Sequence, residues 1–220
     1  WPRVVRTLLR QAPRDAAVWG DISWDGSRFL APQEEALQRL RRRFPHNYLL
    51  ATAQNRMLRD GADLKRARRL AEEAVRCAPG NPRAWISLAS TIFGQSEQIR
   101  LSRYSNRMTE AEQRAVYALY PQYLDAAQQA ARVDPQSSKA WEEVAIAGTF
   151  AGETAIADEA LWKSLALNPE NDGAYYWGLQ MYQSKWGGAR RDLRKVVQMA
   201  EAHPAVYVRV SSSIAAALRA

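Results

Sequence analysis

Chemistry-bearing side chains are scarce in this chain of 220 residues, which has one cysteine and two histidines. A single cysteine excludes an intrachain disulfide. Cys77, flanked by Ala74 and Ala78, is expected to be a small buried filler. His46 and His203 each adjoin a proline, as helix-edge residues on the surface do. No H-E-x-x-H pair and no Cys/His cluster is present, so no metal and no other cofactor is expected. Gly-rich phosphate loops and the G-x-S-x-G nucleophile turn are also missing. Gly187-Gly188 reads as a turn between helices, with no Lys-Ser/Thr after it. The carboxylate pairs Glu72-Glu73 and Glu142-Glu143 are adjacent in sequence. Neighbouring helix positions point apart, so they make poor acid/base pairs and read as solvated faces. These absences argue against an enzyme. No apolar run reaches the roughly 18 residues of a membrane span. The chain starts at Trp1 instead of methionine, so a processed start or a longer parent protein is expected.

What the chain does hold is ordinary for a folded soluble protein: 47% apolar and 25% charged residues. Lys and Arg outnumber Asp and Glu by 31 to 23, a formal charge of +8. That balance favours acidic partners and says nothing of fold.

The ordering signal is a repeat. Prolines close similar phrases at Pro45, Pro79, Pro135, Pro169 and Pro204, with spacings of 34, 56, 34 and 35 residues. The long interval is one 34-residue unit plus a 22-residue insertion. An aromatic stands six places after four prolines: Trp19 after Pro13, Trp85 after Pro79, Trp141 after Pro135 and Tyr175 after Pro169. Small residues line the run before each closing proline, at Ala67–Ala78, Ala126–Ala131 and Ala157–Ala166. Strand-like alternation and sustained heptads are absent. Helices are predicted over 2–12, 15–23, 32–44, 47–59, 63–78, 82–96, 121–133, 138–151, 154–167, 172–184, 189–202 and 205–219.

The phrase Trp85-x-x-Leu88-Ala89-x-x-Ile92 resembles the first helix of a tetratricopeptide repeat. A fuller unit runs Trp141, Val144, Ala145, Ala157, Leu161, Pro169, and another opens with Tyr175, Gly178, Leu179 and Tyr182. Gly61, Ala67, Ala71, Ala74 and Pro79 fit an earlier unit in which Ala51 replaces the aromatic. The resemblance implies an all-α, right-handed α-solenoid of antiparallel helix pairs. Residues 1–45 would be degenerate repeats, 46–204 the repeats proper with an insertion at 94–120, and 205–220 a cap or the start of a further repeat. Within the insertion, Thr109-x-x-Glu112 has the form of a capping box, which predicts a helix over 110–119. The insertion reads as a flap that packs Leu101, Tyr117 and Leu119 back on the stack.

The resemblance also implies a binding scaffold that is not an enzyme, with a concave groove lined by fixed places on each first helix. Aligned here, those places include Arg56, Arg59, Arg83, Ser90, Phe93, Lys139, Glu142, Tyr176, Gln180 and Gln183. Arg and Tyr in such a mix suit a partner protein or extended peptide. The Lys and Asn pair that clamps chaperone tails in some members is replaced by Thr52 and Arg56, Ile86 and Ser90, Glu142 and Ile146. Tyr175, Tyr182 and Trp186 are assigned to the core, with Tyr176 or Trp177 left for recognition. A second reading places nucleic acid or an anionic surface on convex basic residues Lys65, Arg66, Arg69, Arg190, Arg191 and Arg194. A third is a purely architectural subunit of a larger assembly.

Overall fold

The computed structural model describes residues 63–101, 105–183 and 190–219, together with 38–39, 41–43, 51–52, 54–55 and 59. The chain divides into two compact units, residues 1–79 and 80–220. The helices expected over 2–12 and 15–23, with Pro13 and Trp19, lie outside the described residues, as do Pro45, Arg56, Trp186 and the Gly187-Gly188 turn.

In the first unit, helix α1 spans Leu64–Cys77 and is capped by Asp63, whose carboxylate accepts the Arg66 amide at 3.2 Å. Leu64, Ala67, Leu70, Ala71 and Ala74 form its buried stripe. Cys77 is exposed and not buried. It is the last residue of α1, three places after Ala74 and seven after Leu70, so it continues their stripe beyond its last buried position.

The second unit holds helices α2 (Pro82–Arg100), α3 (Glu110–Tyr117), α4 (Tyr120–Val133), α5 (Ser138–Ala151), α6 (Thr154–Leu167), α7 (Asp172–Met181), α8 (Arg190–Glu201) and α9 (Pro204–Arg219). Among the described residues there is no strand. No helix among them is long and apolar enough to cross a membrane. Helices α2 and α4, α5 and α6, and α7 and α8 pair, and α9 packs on α7 and α8. The expected spans 138–151 and 154–167 coincide with α5 and α6.

Local chemistry explains the starts of α5 and α7. In the turn before α5, Asp134 accepts the Gln136 amide at 3.1 Å and Ser137 caps the helix by accepting Ala140 at 3.2 Å. Asn168 and Asn171 do the same before α7, at 3.0 and 3.4 Å. Asx turns and caps of this kind satisfy backbone groups that a helix end leaves unpaired. The repeated aromatic then ties each turn down. Trp141 Nε1 donates to the Pro135 carbonyl at 2.9 Å and Tyr175 Oη to that of Pro169 at 3.0 Å. This is why aromatic and proline stand six residues apart. Tyr175 is fully buried, whereas Trp141 is half-buried with Lys163 Nζ 3.8 Å above its ring.

Small residues set the helix separations. A Cβ on Gly148 would lie 3.1 Å from the Ala157 backbone, so α5 and α6 touch there almost main chain to main chain. Ala89, Ala127, Ala130, Ala145 and Ala174 have no exposed surface in the same core.

The insertion differs from expectation. Helix α2 continues to Arg100 and closes at Leu101, in the left-handed region at φ 49°. The Thr109–Glu112 capping box forms, with Thr109 Oγ1 accepting the Glu112 amide at 3.2 Å. Leu101 and Tyr117 do not pack back: they are 69% and 53% exposed. Met108, Val116 and Tyr120 make the small core instead. Leu119 is half-buried against the main core.

Candidate binding groove

The first helices of successive pairs, α2, α5, α7 and then α9, lie side by side. Their shared face carries an aromatic band. Phe93 of α2 is 5.0 Å from Phe150 of α5 and 6.3 Å, edge-on, from Trp177 of α7. Phe150 and Trp177 are 6.0 Å apart. The band runs on from Trp177 to Tyr176 at 5.5 Å, and from Phe150 through Tyr120 at 5.6 Å to Tyr117 at 5.9 Å. Phe93, Phe150 and Trp177 are half-buried, while Tyr176 and Tyr117 are exposed. Offset and edge-on pairs at these separations are attractive. The Arg100 guanidinium stands 5.8 Å from the Phe150 ring and pairs with Glu97 at 2.8 Å.

Beneath the band, Glu142 and Glu143 are buried, and not the solvated pair their sequence suggests. Their neighbours differ: Glu143 meets α4 and α2, and Glu142 abuts α7. Glu143 accepts from Tyr123 Oη at 3.0 Å and Ser90 Oγ at 3.2 Å, joining α4 and α2 to α5. Burial pushes the Glu143 carboxyl above its ordinary value, against the opposing pull of Lys139 and the two hydroxyls. Burial and that carboxylate push the Tyr123 phenol well up. Glu142 takes the Lys139 ammonium on Oε1, and its Oε2 is buried without a hydrogen-bond partner. Glu142 also abuts Gly173 of α7, where a Cβ would lie 2.7 Å from Oε1. Glycine at 173 is what admits this carboxylate between the helices.

The expected groove residues distribute unevenly. Phe93 and Tyr176 join the band. Arg83 and Lys139 are exposed, and Ser90 is engaged by Glu143. Gln180 is half-buried and bonds the buried Gln183 at 3.3 Å. Arg59 is half-buried in the first unit. Trp177, expected with Tyr176 as a recognition residue, joins the band, and Phe150, Tyr120 and Glu143 complete the arrangement from outside the expected places. Phe150 falls one place beyond the twelfth of its helix, and its signal was the match to Phe93 at the end of the preceding first helix. Of the basic residues expected on the convex side, Lys65, Arg69 and Arg194 are exposed and Arg66 is half-buried. The side chains of Arg190 and Arg191 lie outside the described residues. Among the described residues, no group of three or more His, Cys, Asp or Glu could hold a metal ion.

No protein-family model matches the sequence, and comparison with curated proteins gives no match. Solved structures do match. A thermophilic tetratricopeptide-repeat protein of Thermus thermophilus, TTC0263, aligns at 15% identity over 96% of both chains, with TM-score 0.60. MamA from Desulfovibrio magneticus RS-1 aligns at 12% identity over 92% of this chain and 94% of its own, with TM-score 0.57. Human IFIT1, solved as a dimer with m7Gppp-AAAA, aligns at 12% identity with TM-score 0.61, over 86% of this chain but 49% of its own. These likenesses establish the fold: an all-α solenoid of the tetratricopeptide type.

Proposed function

We propose that this chain is a non-catalytic interaction scaffold that holds an extended peptide of a partner protein along the face of its first helices. The observation that carries the reading is the aromatic band, half-buried at its centre and exposed at Tyr176 and Tyr117. Aromatic surface contributes contact area at little entropic cost, which makes such residues frequent anchors. Arg83 and Lys139 are exposed cations on two of the same first helices, able to pair peptide carboxylates. The buried Glu143 carboxyl, tied to Tyr123 and Ser90, is structural.

The test is capture of partners by the chain from nuclease-treated lysate of its source at low and high salt. It is repeated with Tyr176→Ala plus Arg83→Glu. One protein retained at both salts, and lost with the double variant while helicity is unchanged, is the expected result. Retention that survives both substitutions removes this face as the site. The IFIT1 structure carries a capped RNA. Capture that disappears with nuclease or salt would therefore replace the peptide by nucleic acid.

A further inference from the structure

We infer that the first unit carries an oxyanion-binding cleft of its own, sharing no residue with the aromatic face and built for a small ligand bearing two or more phosphate or carboxylate charges. An open cleft of about 500 Å³ lies along α1 and is lined by four arginines against two glutamates. Arg66, Arg69 and Arg76 recur at spacings of three and seven residues along α1. That pattern puts them on one stripe, away from the buried stripe of Ala67, Ala71 and Ala74. The fourth, Arg41, is fixed in place: its guanidinium donates to Glu73 at 2.6 Å and to Gln54 at 2.8 Å.

Both acidic groups of the cleft are already engaged. Glu73 is held by Arg41, and Glu72 accepts from Arg68 Nε at 2.9 Å. Arg66 reaches Asp63 at 3.5 Å. Arg69 and Arg76 are exposed and have no ion pair among the described residues. The cleft therefore keeps a surplus of guanidinium forks, the groups that bind phosphate and carboxylate bidentately. Its size is that of a small-molecule site, yet its lining is charged or amide apart from Leu70. A compact polyanion fits that chemistry and an apolar ligand does not.

Calorimetric titration of the full chain with inorganic pyrophosphate and, separately, citrate tests this. Saturable one-site binding of either probe is expected, weakened at least about tenfold by Arg69→Glu with Arg76→Glu. The preferred probe tells phosphate from carboxylate as the natural source. Arg107→Glu with Arg114→Glu changes net charge equally at exposed sites in the other unit and should leave affinity unchanged. Equal weakening by both pairs, or no saturable binding to either probe, overturns the cleft. If the glutamate variant fails to fold, Arg69→Gln with Arg76→Gln serves, and unchanged affinity there overturns it as well.

Discussion

Tyr123 donates its hydroxyl to Glu143 at 3.0 Å inside the core, where α4 and α5 meet. Ser90 adds a second donor from α2 at 3.2 Å, and Lys139 and Glu142 act on the same carboxyl from α5 itself. Burial raises the Glu143 carboxyl above its ordinary 4.5, so the folded chain binds that proton more tightly than the unfolded one. The associated stability is complete below pH 4.5 and is lost as pH rises through the raised native value. Glu143→Gln removes the charge and keeps an acceptor for both hydroxyls. Urea melts across this window should show a flatter decline for the variant and greater stability near neutrality. An unchanged slope would assign the pH dependence to other groups. Glu143→Ala leaves the buried Tyr123 hydroxyl without its acceptor, and should cost about 1–3 kcal/mol.

Gly173 and Glu142 make a second pair that can be tested by exchange. A Cβ at 173 would sit 2.7 Å from Glu142 Oε1 and 3.0 Å from its Cδ, so Gly173→Ala must displace the carboxylate or the helix. Overpacking of this kind costs roughly 1–3 kcal/mol. Glu142→Ala opens the space and removes an oxygen that is buried without a donor. The double variant should then be more stable than the sum of the single effects, which a double-mutant cycle measures. Additivity would mean that the two positions do not touch in solution.

How far the sequence revealed all this depends on the range of each contact. The six-residue step from Pro135 to Trp141 and from Pro169 to Tyr175 was visible, and its cause lies within the same turn. The bounds of α5 and α6 were legible for the same reason, since the proline turns, Ser137 and Gly152 act locally. Glu143 was misread as solvated because its partners arrive from 20 and 53 residues away. Cys77 shares a face with buried Ala74 but ends α1, and composition near it does not show that burial stops one turn earlier. The aromatic band was half legible. Phe93 and Tyr176 followed from repeat alignment and Trp177 from the aromatic run beside Tyr176, but Phe150 joins them only when the helices are set side by side.

The two aromatic ties to proline carbonyls should be separable from aromatic packing. Tyr175→Phe keeps the buried ring and removes the hydrogen bond to Pro169, at an expected cost of about 1 kcal/mol. Tyr175→Ala also removes the packing and should cost roughly 3–5 kcal/mol. Denaturant midpoints give both values. Equal losses would place the whole contribution in the hydroxyl, which the complete burial of the ring argues against.

The insertion helix α3 offers the most local test of the binding face. Eight residues are too few for a helix to persist without tertiary support, so α3 depends on its capping box and on Val116 packing with Met108 and Tyr120. Thr109→Ala removes the cap and should cost about 1 kcal/mol, confined to the insertion. Amide exchange should quicken over 112–118 while α5 and α6 keep their protection. Tyr117, at the exposed end of the band, should then lose its fixed position against Tyr120. If a partner lies along the full band, its dissociation should quicken in Thr109→Ala to the same degree as in Tyr117→Ala. A variant with faster exchange in α3 and unchanged partner dissociation would confine the contact to Tyr176 and Trp177.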